Sequence, residues 1–212
     1  SASRAMAAGT ADTSIPTATI GLLTALPNTQ LQRRLRREGR LFDMFRKSMT
    51  ESGDMCTAGL NFTTLRPRRD ILQDYRDVVA EAYSPEAYFG RVRKLGRMLD
   101  IHHPKLRKIW WRNLPRDIAA FLRLIWAMTV RYPRLAGPFW RTFYDVIRHT
   151  PQAYDSVLRN AGHYAHLYPF SLYLVRTIDA RIADLEAGRW EEPPLRPIDN
   201  DACGVRPPAA VA

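Results

Sequence analysis

The chain has 212 residues, 46% of them hydrophobic, with 32 Lys and Arg against 21 Asp and Glu, a formal net charge of +11. That length and apolar content fit one medium domain, or one domain with an appendage, and exclude a globally disordered chain. The positive charge favours acidic partners, anionic lipid or nucleic acid, but it is spread along the polar faces of predicted helices as a solvated surface would be, which disfavours nucleic acid.

Residues 1–16 read as a flexible leader, small-residue rich and without the apolar core of a secretory signal. The chain opens on Ser1 rather than Met, which suggests a trimmed or partial polypeptide. The apolar, β-branched run Thr17–Thr24 predicts a strand buried on both faces. A lone strand cannot form a sheet, so this one needs a partner sheet. After the turn Ala25–Asn28, Asn28 or Thr29 caps a helix that reaches about Glu38, with Leu31 and Leu35 inward and Gly39 as its stop. Strand, turn and helix make a βα unit. Gly53–Phe62 is a polar, glycine-punctuated loop.

From Arg68 onward the pattern is helical. Ile71, Leu72, Tyr75, Val78, Val79, Ala82 and Tyr83 fall on one stripe. Ser84-Pro85-Glu86 supplies a cap, a first-turn proline and an early acid for a second helix with Tyr88, Val92, Leu95 and Leu99 inward. His102-His103-Pro104 breaks the pattern before the basic, aromatic stretch Lys105–Arg112. A helix from about Pro115 is expected to bury Ile118, Phe121, Leu122 and Ile125. Gly137-Pro138 punctuates before a helix marked by Phe139, Phe143, Val146 and Ile147. Thr150-Pro151 opens another with Tyr154, Val157 and Leu158 inward, and a last one ends near Gly188 with Pro169 bending its first turns. The expected fold is mainly α: a bundle of about five or six helices over 63–189, preceded by the βα piece at 17–62 and followed by a proline-rich tail, 190–212. No apolar stretch is long enough to span a membrane.

The ordered run LLTALPNTQL, EGRL, GLNF, DYR and SPEAYF followed by RV, within residues 22–92, resembles the C-terminal part of cobalamin-binding radical S-adenosylmethionine proteins of the hopanoid-methylase type. There it covers the end of the partial TIM barrel and the helical domain of unknown function that follows. The resemblance implies a parent with a four-iron cluster, S-adenosylmethionine and cobalamin, and N-terminal cobalamin and barrel domains on the same or a separate chain. It implies a methyltransferase acting on a hydrophobic substrate in the cytoplasm, or at the inner face of a membrane. In such proteins three cysteines in a CxxxCxxC loop hold the cluster. This sequence has only Cys56 and Cys203 and no such motif, so the chain by itself is expected to be inactive.

Thr24, Leu26, Pro27 and Thr29 lie where a barrel rim would hold cofactor or substrate, and serve equally well as a turn and helix cap. Asp54 and Asn61 are substrate-binding candidates or Asx-turn residues, and Cys56 shares their loop. No His, Cys or carboxylate spacing indicates a metal site, and no catalytic residue stands out. Lys105, Lys108, Trp110, Trp111 and Arg112 would suit an anionic membrane surface, or a helix–helix contact with an aromatic core. A basic helical module without enzymatic activity, binding membrane or nucleic acid, is the alternative reading.

Overall fold

Capping residues, prolines and glycines set the element ends in the computed structural model, which describes Gly9 and residues 14–43, 56–57, 59–99 and 114–196. The described residues form six α-helices: α1 (Gln30–Arg37), α2 (Arg68–Ala82), α3 (Pro85–Met98), α4 (Leu114–Trp126), α5 (Pro133–His149) and α6 (Tyr154–Glu186). A π-helical turn, Ala127–Arg131, links α4 to α5, and a 3-10 turn, Pro151–Ala153, precedes α6. No strand or sheet occurs among the described residues; the pairings Leu41 with Phe62 and Phe42 with Leu195 are isolated bridges. The protein is mainly α, as expected.

Thr29 caps α1: its Oγ1 accepts from the Gln32 N–H at 3.2 Å, and Gln32 Oε1 accepts from the Asn28 N–H at 2.9 Å. Ser84 caps α3, with Pro85 in the first turn. Gly39 and Gly188, both at φ +64, close α1 and α6. In each case two backbone bonds recapture the last carbonyls: Gly39 and Arg40 donate to Arg36 and Leu35, Gly188 and Arg189 to Leu185 and Asp184.

Chain contacts divide the protein into two compact units. One comprises Ser1–Thr19 with Arg76–Arg176, the other Ile20–Tyr75 with Thr177–Ala212. In the first unit the core joins Tyr88, Phe89 and Val92 of α3, Met128, Leu135, Phe139 and Val146 of the middle elements, and Val157, Ala161, Tyr164 and Tyr168 of α6. Tyr164 stacks on Tyr88 with ring centroids 4.1 Å apart and donates its hydroxyl to the Tyr83 carbonyl at 2.6 Å. Burial pushes both phenols above their ordinary range. The α3–α5 contact is close at Gly96, where a Cβ would lie 3.0 Å from a Val146 methyl, and Arg97 pairs with Asp145 across it, holding that carboxyl below the usual range. Arg91 is buried: its Nη2 donates to the Ala82 carbonyl at 2.6 Å and the Pro16 carbonyl at 3.2 Å. The last turn of α2 has no basic residue of its own, so this guanidinium supplies the cation that favours a helix C-terminus.

Four expectations change. The segment Thr17–Thr24 makes no ladder among the described residues, and its burial alternates: Ile20 and Leu22 are buried while Thr19, Gly21 and Leu23 are exposed, so it covers one face only. Gly137-Pro138 does not interrupt the chain but lies inside α5; the break comes earlier, at the π-helical turn and Pro133, and Pro138 costs only one backbone bond near the helix start. The two helices expected after Thr150 are one of 33 residues, with Pro169 inside it and Tyr154 exposed. Ile118, Phe121 and Leu122 of α4 are exposed rather than buried, while Leu124 and Ile125 meet the core. His102-His103-Pro104, Asp54, Lys105, Lys108, Trp110, Trp111 and Arg112 lie outside the described residues.

Candidate functional site

The second unit builds a turn from two sequence segments. Ile20–Asn28 enters it and Gly59–Phe62 holds it. Leu60 sits at φ +63, donates its N–H to the Leu23 carbonyl at 2.9 Å and accepts Arg68 Nη2 at 2.8 Å. Asn61, buried, closes a two-bond clamp on Ala25: the Ala25 N–H reaches Asn61 Oδ1 at 2.8 Å, and Asn61 Nδ2 donates to the Ala25 carbonyl at 3.2 Å. The side-chain amide thus pairs with both backbone polar groups of Ala25 much as a neighbouring strand would. Gly59 leaves no space for a side chain: a Cβ there would be 2.2 Å from Leu22 Cβ and 2.9 Å from its carbonyl oxygen. Phe62 is buried beside the Leu41 bridge, and Arg40 donates to the Thr63 carbonyl from both Nε and Nη2. Tyr75 donates its hydroxyl to the Ile20 carbonyl at 3.2 Å. The motif GLNF is therefore a clamp for the turn that precedes α1.

Arg68 extends this clamp. It lies 4.7 Å from the Trp190 ring and 5.9 Å from the Phe42 ring, and desolvation lowers the pKa of its guanidinium. Residues 190–196 are extended against the same segment, through Asp43 to Pro194 and Arg196 to Leu41 backbone bonds and a Thr63 to Glu192 hydrogen bond of 2.5 Å.

Of the candidates named from sequence, Thr24, Leu26, Pro27, Thr29 and Asn61 come together here, and the structure divides them by occupation. Asn61 is engaged with Ala25. Thr29 Oγ1 caps α1 and donates to the Leu26 carbonyl at 2.7 Å. Thr24 Oγ1 donates to the Leu22 carbonyl at 3.3 Å. The Leu26 and Pro27 side chains remain exposed, and Leu23, which the sequence reading passed over, joins them at 59% exposure. Alternation along the extended segment was the signal for it, once one face rather than two is taken as buried. The chemistry offered is an apolar rim with no titratable group among Leu23–Pro27. Asn61→Ala will leave both polar groups of Ala25 without partners and will cost about 2 kcal/mol by urea denaturation; a neutral result would release Asn61 for direct work on a substrate.

Residues 29–180 match a family described as Domain of unknown function (DUF4070), 152 of the 212 positions. The chain belongs to this family. It is 29% identical over 174 residues to an uncharacterized methyltransferase of Synechocystis sp., a match covering 81% of this chain and 31% of that protein. It is 31% identical over 121 residues to the hopanoid C-2 methylase of Rhodopseudomonas palustris, covering 55% of this chain and 21% of that one. The chain thus spans about a third or less of these relatives. No solved structure matches it. The family is the one that the ordered motifs pointed to, and those motifs now have physical roles: cap, clamp, helix stop and core.

Proposed function

We propose that this DUF4070 chain is the C-terminal accessory region of a cobalamin-dependent radical S-adenosylmethionine enzyme, a methyltransferase for a hydrophobic substrate. Its extended segment joins a partial barrel, and its Leu23–Pro27 rim forms part of the wall of the substrate cavity. The observation that supports this is the segment Ile20–Thr24, which buries Ile20 and Leu22, leaves Gly21 and Leu23 exposed and makes no ladder among the described residues, as a strand that needs a partner sheet would. Two methyltransferase relatives agree in reaction class.

The donor set in these residues does not fit an iron–sulfur cluster. The chain has two cysteines, and among the described residues no three of His, Cys, Asp or Glu gather as metal ligands. In this reading the cluster, S-adenosylmethionine and cobalamin are held by N-terminal domains, on the same or a separate chain, and this chain is not catalytic alone. Leu26 and Pro27 contact the apolar part of the substrate, while Thr24, Thr29 and Asn61 fix the rim. Such an enzyme works in the cytoplasm, at the inner membrane face when its substrate is a lipid. Among the described residues no helix is long and apolar enough to cross a membrane.

The test replaces the matched region of the hopanoid C-2 methylase with the corresponding residues of this chain and measures methylated hopanoid by mass spectrometry. Product above that of a deletion lacking the region is expected. A chimera that accumulates as soluble protein yet makes no more product than the deletion would overturn the reading.

A further inference from the structure

The exposed apolar face of α4 is used by nothing described above. Ile118, Phe121 and Leu122 follow the i, i+3, i+4 spacing of one helix face and are 49%, 38% and 60% exposed. Trp126, which ends the helix, and Val130 in the following turn are 56% and 60% exposed. Solvent covers such a stripe poorly, and the charged residues from 115 to 134 are almost all of one sign. Arg116, Arg123, Arg131 and Arg134 are all exposed, against the single acid Asp117. An apolar stripe, a tryptophan and exposed arginines off that stripe are the composition of a helix that lies in the plane of a lipid interface. Its apolar side enters the acyl boundary, its indole sits at headgroup level and its guanidinium groups meet lipid phosphates. At 13 residues, α4 is too short to cross a bilayer and long enough to lie on one.

We infer that α4 and the turn after it form an in-plane anchor on anionic membrane, seated through Ile118, Phe121, Leu122 and Trp126 and held by Arg116, Arg123, Arg131 and Arg134. An apolar stripe on a helix whose other sides carry exposed cations complements a negatively charged lipid surface in both its parts. The inference stands independently of the methyltransferase reading, because it requires no reaction.

The full chain is to be floated with vesicles of equal parts phosphatidylcholine and phosphatidylglycerol, and separately with phosphatidylcholine alone. Binding to the anionic vesicles is expected, weakening as salt rises. The double variant Phe121→Asp, Leu122→Asp replaces side chains that are already exposed, so the fold should persist, as an unchanged thermal melt and circular dichroism spectrum would show. Its binding is expected to fall on the order of tenfold or more. Arg116→Glu with Arg123→Glu should lower binding to the anionic vesicles. Equal binding of the Asp double variant and the original chain would overturn the inference, as would absence of binding to anionic vesicles or equal binding to both vesicle types. So would a lipid-free, concentration-dependent dimer that the Asp double variant abolishes, which would assign the stripe to a second copy of the chain.

Discussion

Gly59→Ala will destabilise the protein by about 3 kcal/mol, the upper end of what an added methyl costs in a packed site. The new Cβ would lie 2.2 Å from Leu22 Cβ and 2.9 Å from the Leu22 carbonyl oxygen, so the contact is with backbone and a backbone-bound carbon rather than with the movable end of a side chain. Relief requires the two segments to separate, and separation breaks the Leu60 to Leu23 bond and the Asn61 clamp on Ala25. Urea denaturation checks the loss. Leu22→Ala will not rescue the variant, because alanine keeps the offending Cβ; a double variant as stable as Leu22→Ala alone would show that the segments part without cost. If the chimera described above is active, Gly59→Ala within it should lower product more than Leu26→Ala, since it displaces the whole rim rather than one of its side chains.

Tyr164→Ala will cost about 4 kcal/mol, the usual loss for truncating a buried aromatic ring. The ring stacks on Tyr88, meets Phe89 edge-on at 5.3 Å and is fully buried. Tyr164→Phe keeps the ring and removes the donor to the Tyr83 carbonyl, a loss of about 1–2 kcal/mol. Equal losses in the two variants would assign the stability to the hydroxyl instead of the packing. The phenol's pKa is raised by burial, so the sign of the pH effect is fixed: the unfolded chain releases this proton near pH 10 and the folded one resists. The contribution is complete below about pH 10 and disappears as pH rises further, so alkaline unfolding will be steeper in the original chain than in Tyr164→Phe.

Much of the local structure was legible because its causes are local. Thr29, Ser84-Pro85, Gly39 and Gly188 act within a turn of chain, and they terminate helices where their spacing indicated. The stripes of α2 and α3 face inward because a single helix periodicity decides them. Errors arose where a partner decides. Gly137-Pro138 reads as a break, yet the preceding turn had already set the start of α5, so the proline fell within its early turns. Thr150–Gly188 reads as two helices, yet a buried face that includes Val157, Tyr164, Leu174 and Ile178 carries a single helix through Pro169.

The candidate rim divides in the same way. Thr29 as a cap could be read from one segment. Asn61 could be singled out but not given its role, because its partner Ala25 lies 36 positions away. The apolar residues of α4 show the converse: their period predicts a helix, and only the packing decides that Leu124 and Ile125 near its end meet the core while Ile118, Phe121 and Leu122 meet solvent. By itself the sequence determined the mainly helical class, the helix ends marked by Thr29, Gly39, Ser84 and Gly188, and the family, since these follow from short-range sterics, hydrogen-bond caps and an ordered set of motifs. The tertiary structure alone decided that GLNF clamps a turn, that the Leu23, Leu26 and Pro27 side chains are left exposed, and that Ile118, Phe121 and Leu122 of α4 are exposed while Ile125 meets the core. Burial and long-range pairing depend on which segments meet in space, and that is not a property of any one segment.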